Sequence, residues 1–208
     1  DFFFFLLEKE AKNAFEYYVQ NLKWFYEQSK YWKHIVLLNE AGYCRDKSKL
    51  ILQLPQRQMT GIQLNDILIK KYHLILEMGY LSYAIAMTSP ADTKQGFDML
   101  SKAITQIDAE ICGNSKVMSF PKIQNILPIL KYCPRQAFFA EKKQIPFSKS
   151  QGQICGEFII PYPPGIPLLA PGEVITKQIM KQIAVLQKAN ISLVGCHNNT
   201  LNTIEVIS

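Results

Sequence analysis

Residues 156–173 read Gly156-Glu157-Phe158-Ile159-Ile160-Pro161-Tyr162-Pro163-Pro164-Gly165-Ile166-Pro167-Leu168-Leu169-Ala170-Pro171-Gly172-Glu173. Four prolines, a glycine and a tyrosine fall within the seven residues from Pro161 to Pro167. Proline removes backbone donors and restrains the residue before it, so this run is a stiff loop and not a helix. Stiffness reduces the entropy lost when a loop shapes a site. Pro171-Gly172 makes a second turn, which sets Glu173 near the start of the next helix, where the helix dipole favours a carboxylate.

Working outward, the loop is entered from an apolar strand over residues 153–160. It is left through a helix over residues 176–189 with Ile179, Ile183 and Leu186 inward. Residues 191–194 and 203–207 read as closing strands. Upstream, Pro134 suits the first position of a short helix carrying Ala137, Phe138 and Phe139, and residues 112–133, with Pro121 and Pro128, read as a connection. Residues 43–110 read as a βαββα unit. It holds a strand over 49–54, a turn at Met59-Thr60-Gly61, a helix over 62–72 and a short extended piece over 74–78. A strand over 81–88, apolar on both faces, and a helix lined by Phe97, Leu100, Ile104 and Ile107 complete it. Asp92, with Gln95 three residues on, is the expected cap of that last helix.

Residues 8–39 contain neither proline nor glycine. Ala11, Phe15, Tyr18, Leu22, Phe25, Trp32 and Val36 follow helical spacing, with Tyr17, Trp24, Tyr31 and Leu38 as a second line beside them. One long helix is expected, its wide apolar face either packed into a core or covered by another domain or subunit. The run Phe2 to Leu7 is too short for a bilayer span, which takes about 20 residues, and Asp1 is not the basic start of a signal peptide. The lack of an initiator methionine fits a chain cut from a longer one or an incomplete reading frame.

Of the 208 residues, 48% are hydrophobic and 19% charged, as in an ordinary globular protein. The net charge of +6 comes mostly from scattered lysines, with only Arg45, Arg57 and Arg135 as arginines. That pattern argues against a nucleic-acid surface. Five cysteines without a C-x-x-C pair point to reduced thiols in a cytoplasmic compartment. His34, His73 and His197 are separated in sequence, and no metal site is expected.

Residues 156–173 closely resemble the C-terminal domain of the Orn/Lys/Arg decarboxylases, with its acidic residue, apolar strand, P-Y-P-P-G-I-P and then P-G-E. Cys133-Pro134-Arg135-Gln136-Ala137-Phe138-Phe139-Ala140 resembles the P-R-x-A-F-x-A segment that precedes it in that family. The likeness runs over residues 114–207. A sparser likeness over 43–110 rests on Thr60-Gly61, Leu76-Glu77-Met78 and Ala91-Asp92-Thr93. The apolar spacing gives a long amphipathic helix over 1–42, and the resemblance implies an α+β protein. It also implies the small domain of an aminotransferase-like fold over 43–110 and the family's α+β C-terminal domain over 111–208.

The implied activity is pyridoxal-phosphate-dependent decarboxylation of lysine, arginine or ornithine, in a homodimer or higher oligomer without membrane or nucleic-acid partners. Family members hold the cofactor on a lysine in a Ser-x-His-Lys context within a large domain. No His-Lys pair occurs here. No catalytic or cofactor-binding residue is therefore assigned, no cofactor is expected on this chain alone, and the chain alone is expected to be inactive. Two alternatives stay open: a non-catalytic module that binds an intact decarboxylase or a polyamine, and a split enzyme whose cofactor domain is encoded separately. Basic substrates carry a distal cation that needs an acceptor, because an unpaired buried charge is costly. By resemblance Glu173 is the first candidate and Glu157 the second, with Tyr162 lining the entrance. The alternatives are helix-start electrostatics for Glu173 and a solvent-facing strand edge for Glu157. Arg135 is expected to pair with an acidic neighbour.

Overall fold

The computed structural model describes residues 11–39, 45–56, 58–111, 126–189, 191–197 and 201–208. The Phe2 to Leu7 run, Cys44, Arg57, Cys112 and Pro121 lie outside them. The chain is α+β and divides into two compact units, Asp1–Phe120 and Pro121–Ser208. No described helix is long and apolar enough to cross a membrane.

In the first unit, α1 spans Ala11–Gln28, followed by a 3-10 turn at Ser29–Tyr31. The helix is shorter than its apolar spacing predicts. After Tyr31 the backbone finds other partners: Asp108 accepts hydrogen bonds from the N–H groups of Lys33 (2.8 Å), His34 (2.8 Å) and Ile35 (2.7 Å). Val36–Leu37 then forms β1, so Trp32 and Val36 do not lie on the helix. Tyr18, Leu22 and Phe25 are buried, and the Phe25 ring meets Trp32 at 5.6 Å and Phe97 at 6.0 Å. Burying a side chain such as Phe25 is worth roughly 1.5–3 kcal/mol. The second line of the stripe divides: Trp24 packs, partly buried, against the core, while Tyr17 and Tyr31 are exposed.

Strands β2 (Lys49–Gln53), β3 (Met78–Gly79) and β4 (Tyr83–Met87) join β1 in an antiparallel sheet of order β1-β2-β4-β3. Leu50 and Leu52 pair with Ala86 and Ala84 on the buried face. These residues share one hydrophobic cluster with the inward sides of α1, α2 (Gly61–Tyr72) and α3 (Lys94–Glu110). The opposite face pairs Ile51 with Ile85, both half-buried, and Lys49 with the exposed Met87. Strand β4 is thus buried on one side and not on both, because the helices pack their apolar residues against the alanine face.

The predicted turn at Met59-Thr60-Gly61 is the start of α2. Thr60 Oγ1 accepts from Gln63 N (3.0 Å) and Gln63 Oε1 accepts from Thr60 N (2.8 Å), a reciprocal capping box. A Cβ at Gly61 would stand 1.8 Å from the Tyr83 carbonyl oxygen, so the close approach of α2 to β4 demands glycine. The cap of α3 is Thr93, whose Oγ1 accepts from Gly96 N, and not Asp92. Asp92 instead closes the preceding turn by accepting from Ser89 N (2.6 Å).

The second unit contains α4 (Pro134–Phe139), β5 (Lys142–Pro146), β6 (Ile160–Tyr162), α5 (Lys177–Lys188), β7 (Ser192–Val194) and β8 (Thr203–Ile207). β5 pairs with β8 and β6 with β7, both antiparallel. The core joins Cys155, Ile159, Leu169, Ile175, Ile179, Ile183, Leu193, Leu201, Ile204 and Val206. Pro134 opens α4 as expected, yet of its apolar residues only Ala137 faces inward. The strand expected over 153–160 is instead a series of single bridges, Ile154 to Val174, Cys155 to Val206 and Ile159 to Leu169, before β6 begins.

Candidate functional site

One segment, residues 155–162, organises the region that holds all three candidate residues. At its start, Cys155 N donates to the Glu173 carbonyl (2.8 Å) and Gly172 N donates to the Cys155 carbonyl (2.8 Å). These bonds clamp the Pro171-Gly172 turn. Gly172 has φ +93°, and a Cβ there would meet the Tyr132 carbonyl oxygen at 2.3 Å. Lys131 N and Tyr132 N both donate to the Gly172 carbonyl, which fastens the turn from its other side. Glu173 is half-buried, and its Oε2 accepts from Ala170 N at 2.7 Å. The carboxylate therefore closes its own turn. It is not part of the helix start, because the cap of α5 is Thr176, whose Oγ1 accepts from Ile179 N. Among the described residues Oε1 of Glu173 has no donor.

In the middle of the segment Glu157 is buried, not at a solvent-facing edge. Its Oε2 accepts from His197 N (2.6 Å) and its Oε1 from Glu205 N (3.0 Å). Both oxygens are thus engaged by backbone N–H groups, which is how a buried carboxylate is made tolerable without a cation. Cys155 Sγ donates to the Glu157 carbonyl (3.0 Å). Burial, first of all, pushes this thiol up to about 12, so it stays protonated and inert.

At the far end, Ile159 N donates to the Leu169 carbonyl and Leu168 N to the Ile159 carbonyl, both at 2.9 Å, so the base of the proline loop is closed. β6 leads into the loop through Tyr162, which pairs with Ser192 and is 60% exposed. Gly165 N turns back onto the Pro161 carbonyl (2.9 Å), and the Tyr162 ring lies against Gly165. Tyr162 and Ile166 are large exposed apolar groups of a loop whose backbone is held at both ends. Arg135 is exposed and forms no ion pair among the described residues, contrary to expectation.

Residues 122–201 match the family model described as Orn/Lys/Arg decarboxylase, C-terminal domain. The chain carries the C-terminal domain of the Orn/Lys/Arg decarboxylase family. An arginine decarboxylase of Halalkalibacterium halodurans is 34% identical over 171 residues, which is 80% of this chain and 34% of that protein. An arginine decarboxylase of Bacillus subtilis is 30% identical over 177 residues, 83% of this chain and 35% of that protein. The chain thus spans about a third of the length of these relatives, and the part it matches is C-terminal. Among solved structures, the lysine decarboxylase of Francisella novicida aligns with a TM-score of 0.71 at 14% identity, covering 95% of this chain and 40% of that one. That likeness speaks for the fold. The decarboxylase domain accounts for the stretch that carries Glu157, Tyr162 and Glu173, since all three fall within the matched residues.

A lysine that holds an aldehyde cofactor sits in a pocket that lowers its charge, because desolvation favours the neutral amine. Every described lysine of this chain is exposed. These residues do not fit pyridoxal phosphate, and no step is assigned to it here.

Proposed function

We propose that this chain is the C-terminal portion of a pyridoxal-phosphate-dependent decarboxylase of a basic amino acid, with arginine the foremost substrate. The cofactor would be held by a separate large domain, in a cytoplasmic enzyme that is a homodimer or higher oligomer. Residues 43–110 would form the small domain of its aminotransferase-like fold. The observation that carries the reading is Glu173: a half-buried carboxylate on a turn clamped by backbone bonds, with one oxygen engaged by Ala170 N. A carboxylate fixed in this way is ready to accept the distal cation of a substrate, and a guanidinium offers it five donors in a rigid fork. Tyr162 would border the approach, presented by β6 beside the stiff loop. Supporting the choice of arginine, four relatives at 29–34% identity over 66–83% of this chain are arginine decarboxylases. The free thiols of Cys133, Cys155 and Cys196 agree with a reducing compartment.

The test is direct. The protein read from the coding sequence extended upstream should contain a Ser-x-His-Lys segment and release carbon dioxide from arginine faster than from lysine or ornithine. The 208-residue chain alone, offered pyridoxal phosphate and each amino acid, should release none. Release from the short chain alone, or none from the extended protein, would refute the proposal. An upstream sequence without such a lysine would favour a non-catalytic module.

A further inference from the structure

We infer that Glu157 is a positioning residue, the buried anchor that holds the Glu173 turn and the Tyr162 loop in one geometry. The inference rests on the proposed function only for the view that Tyr162 and Glu173 face substrate. Three facts carry it. Both Glu157 oxygens are engaged, one by His197 N at 2.6 Å and one by Glu205 N at 3.0 Å, and the residue is only 7% exposed, which keeps it from a substrate cation. The residue lies midway along the segment whose start clamps Gly172 and Glu173 through Cys155 and whose end closes the loop through Ile159. The two amides it accepts belong to different chain stretches, the turn after β7 and the strand β8, so its carboxylate fixes the segment against both.

The turn after β7 sits tightly on the same segment. A Cβ at Gly195 would stand 3.0 Å from the Phe158 Cβ, and β7 is the partner that sets Tyr162 opposite Ser192. On the other flank, Gly156 N donates to the Glu205 carbonyl (2.9 Å) while Glu157 accepts from the Glu205 amide. Residue 205 is thereby gripped from both of its backbone groups. Shifting residue 157 would slide the segment relative to β7 and β8 and move both ends of it together. The two acidic residues divide the work: Glu157 sets the frame, and Glu173 keeps an oxygen for a ligand.

Amide hydrogen exchange on the full chain tests this, with Glu157→Gln as the first variant. Glutamine offers one acceptor where two amides need one, and its NH2 opposes the other N–H. The His197 and Glu205 amides should lose protection. Gly165 N and Gly172 N, which Glu157 does not touch, should exchange about tenfold faster, while Ile183 and Leu186 in α5 stay within about twofold. Loosening at His197 and Glu205 with Gly165 and Gly172 unchanged would overturn the inference, as would uniform acceleration through the unit. If Glu157→Gln does not fold, Glu157→Asp is read in the same way, and loss of folding in both would also overturn it. In the decarboxylating enzyme, Glu157→Gln should raise KM for arginine about tenfold with kcat within about threefold, and an unchanged KM would count against it. An inactive wild-type enzyme with the expected exchange pattern would remove the proposed function and leave this inference standing.

Discussion

Glu173→Gln is expected to lower kcat/KM for arginine by roughly 10- to 200-fold in the complete enzyme, with melting temperature nearly unchanged. A hydrogen bond between charged partners is worth about 1.5–3 kcal/mol, and that range converts to the stated loss. The amide oxygen of glutamine can still accept from Ala170 N, so the turn should survive the substitution. What disappears is the negative charge that the proposed function sets against the distal cation of the substrate. Glu173→Ala gives the complementary result, because it removes the turn bond as well, and should add a stability loss of about 1 kcal/mol. Steady-state kinetics of both variants, with thermal melts in parallel, separate the two roles. Wild-type kinetics in Glu173→Gln would take Glu173 out of the site and leave it as a turn carboxylate.

Asp108→Ala is expected to destabilise the first unit by about 3 kcal/mol, since a carboxylate that accepts several backbone N–H groups leaves them unsatisfied when removed. Asp108 lies on α3, is buried, and takes the amides of three consecutive residues, Lys33, His34 and Ile35. Asp108→Asn should cost roughly half as much, because one acceptor oxygen remains while the NH2 opposes a third donor. Both tryptophans of the chain, Trp24 and Trp32, lie in this unit. Urea unfolding followed by tryptophan fluorescence therefore reports on it selectively. A loss below about 1 kcal/mol for Asp108→Ala would mean that water or neighbouring groups satisfy the three amides instead.

The same carboxylate explains where the sequence could and could not be read. Helices α2 and α3 were legible because local spacing places Leu64 and Leu68, or Phe97, Ile104 and Ile107, on one side. The end of α1 was not. Nothing local stops the pattern at Gln28, and the groups that draw Lys33, His34 and Ile35 out of a helix lie more than seventy residues away. β5 was invisible for a related reason. Lys142, Lys143 and Gln144 are exposed and polar, and the strand exists through pairing with Ile207, Val206 and Glu205. β4 misled in the opposite sense, since apolar residues on both faces suggested burial that the helices provide only on the Ala84 and Ala86 side.

At the candidate site, the proline run and the Pro171-Gly172 turn announced themselves, because proline and glycine restrict the backbone wherever they stand. The environment of the two glutamates did not follow from position in the chain. Glu157 read equally well as a substrate acceptor or an edge residue, yet its partners are the backbone amides of His197 and Glu205, which no side-chain pattern encodes. Glu173 looked like a helix-start charge because only two residues separate it from Thr176, yet its carboxylate turns back to Ala170. Acidic residues near a turn can satisfy the backbone behind or ahead of them, and the choice is made by the fold.

The central claim, that this chain supplies the C-terminal portion of a basic amino-acid decarboxylase, is tested most directly by exchange of parts. This chain replaces the matching C-terminal third of the Halalkalibacterium halodurans arginine decarboxylase, and carbon dioxide release from arginine is measured with pyridoxal phosphate present. The account predicts release by the chimera, and its loss by roughly 10- to 200-fold when Glu173→Gln is introduced. A chimera that folds and binds the cofactor, yet releases no carbon dioxide from arginine, lysine or ornithine while the parent enzyme does, would contradict it.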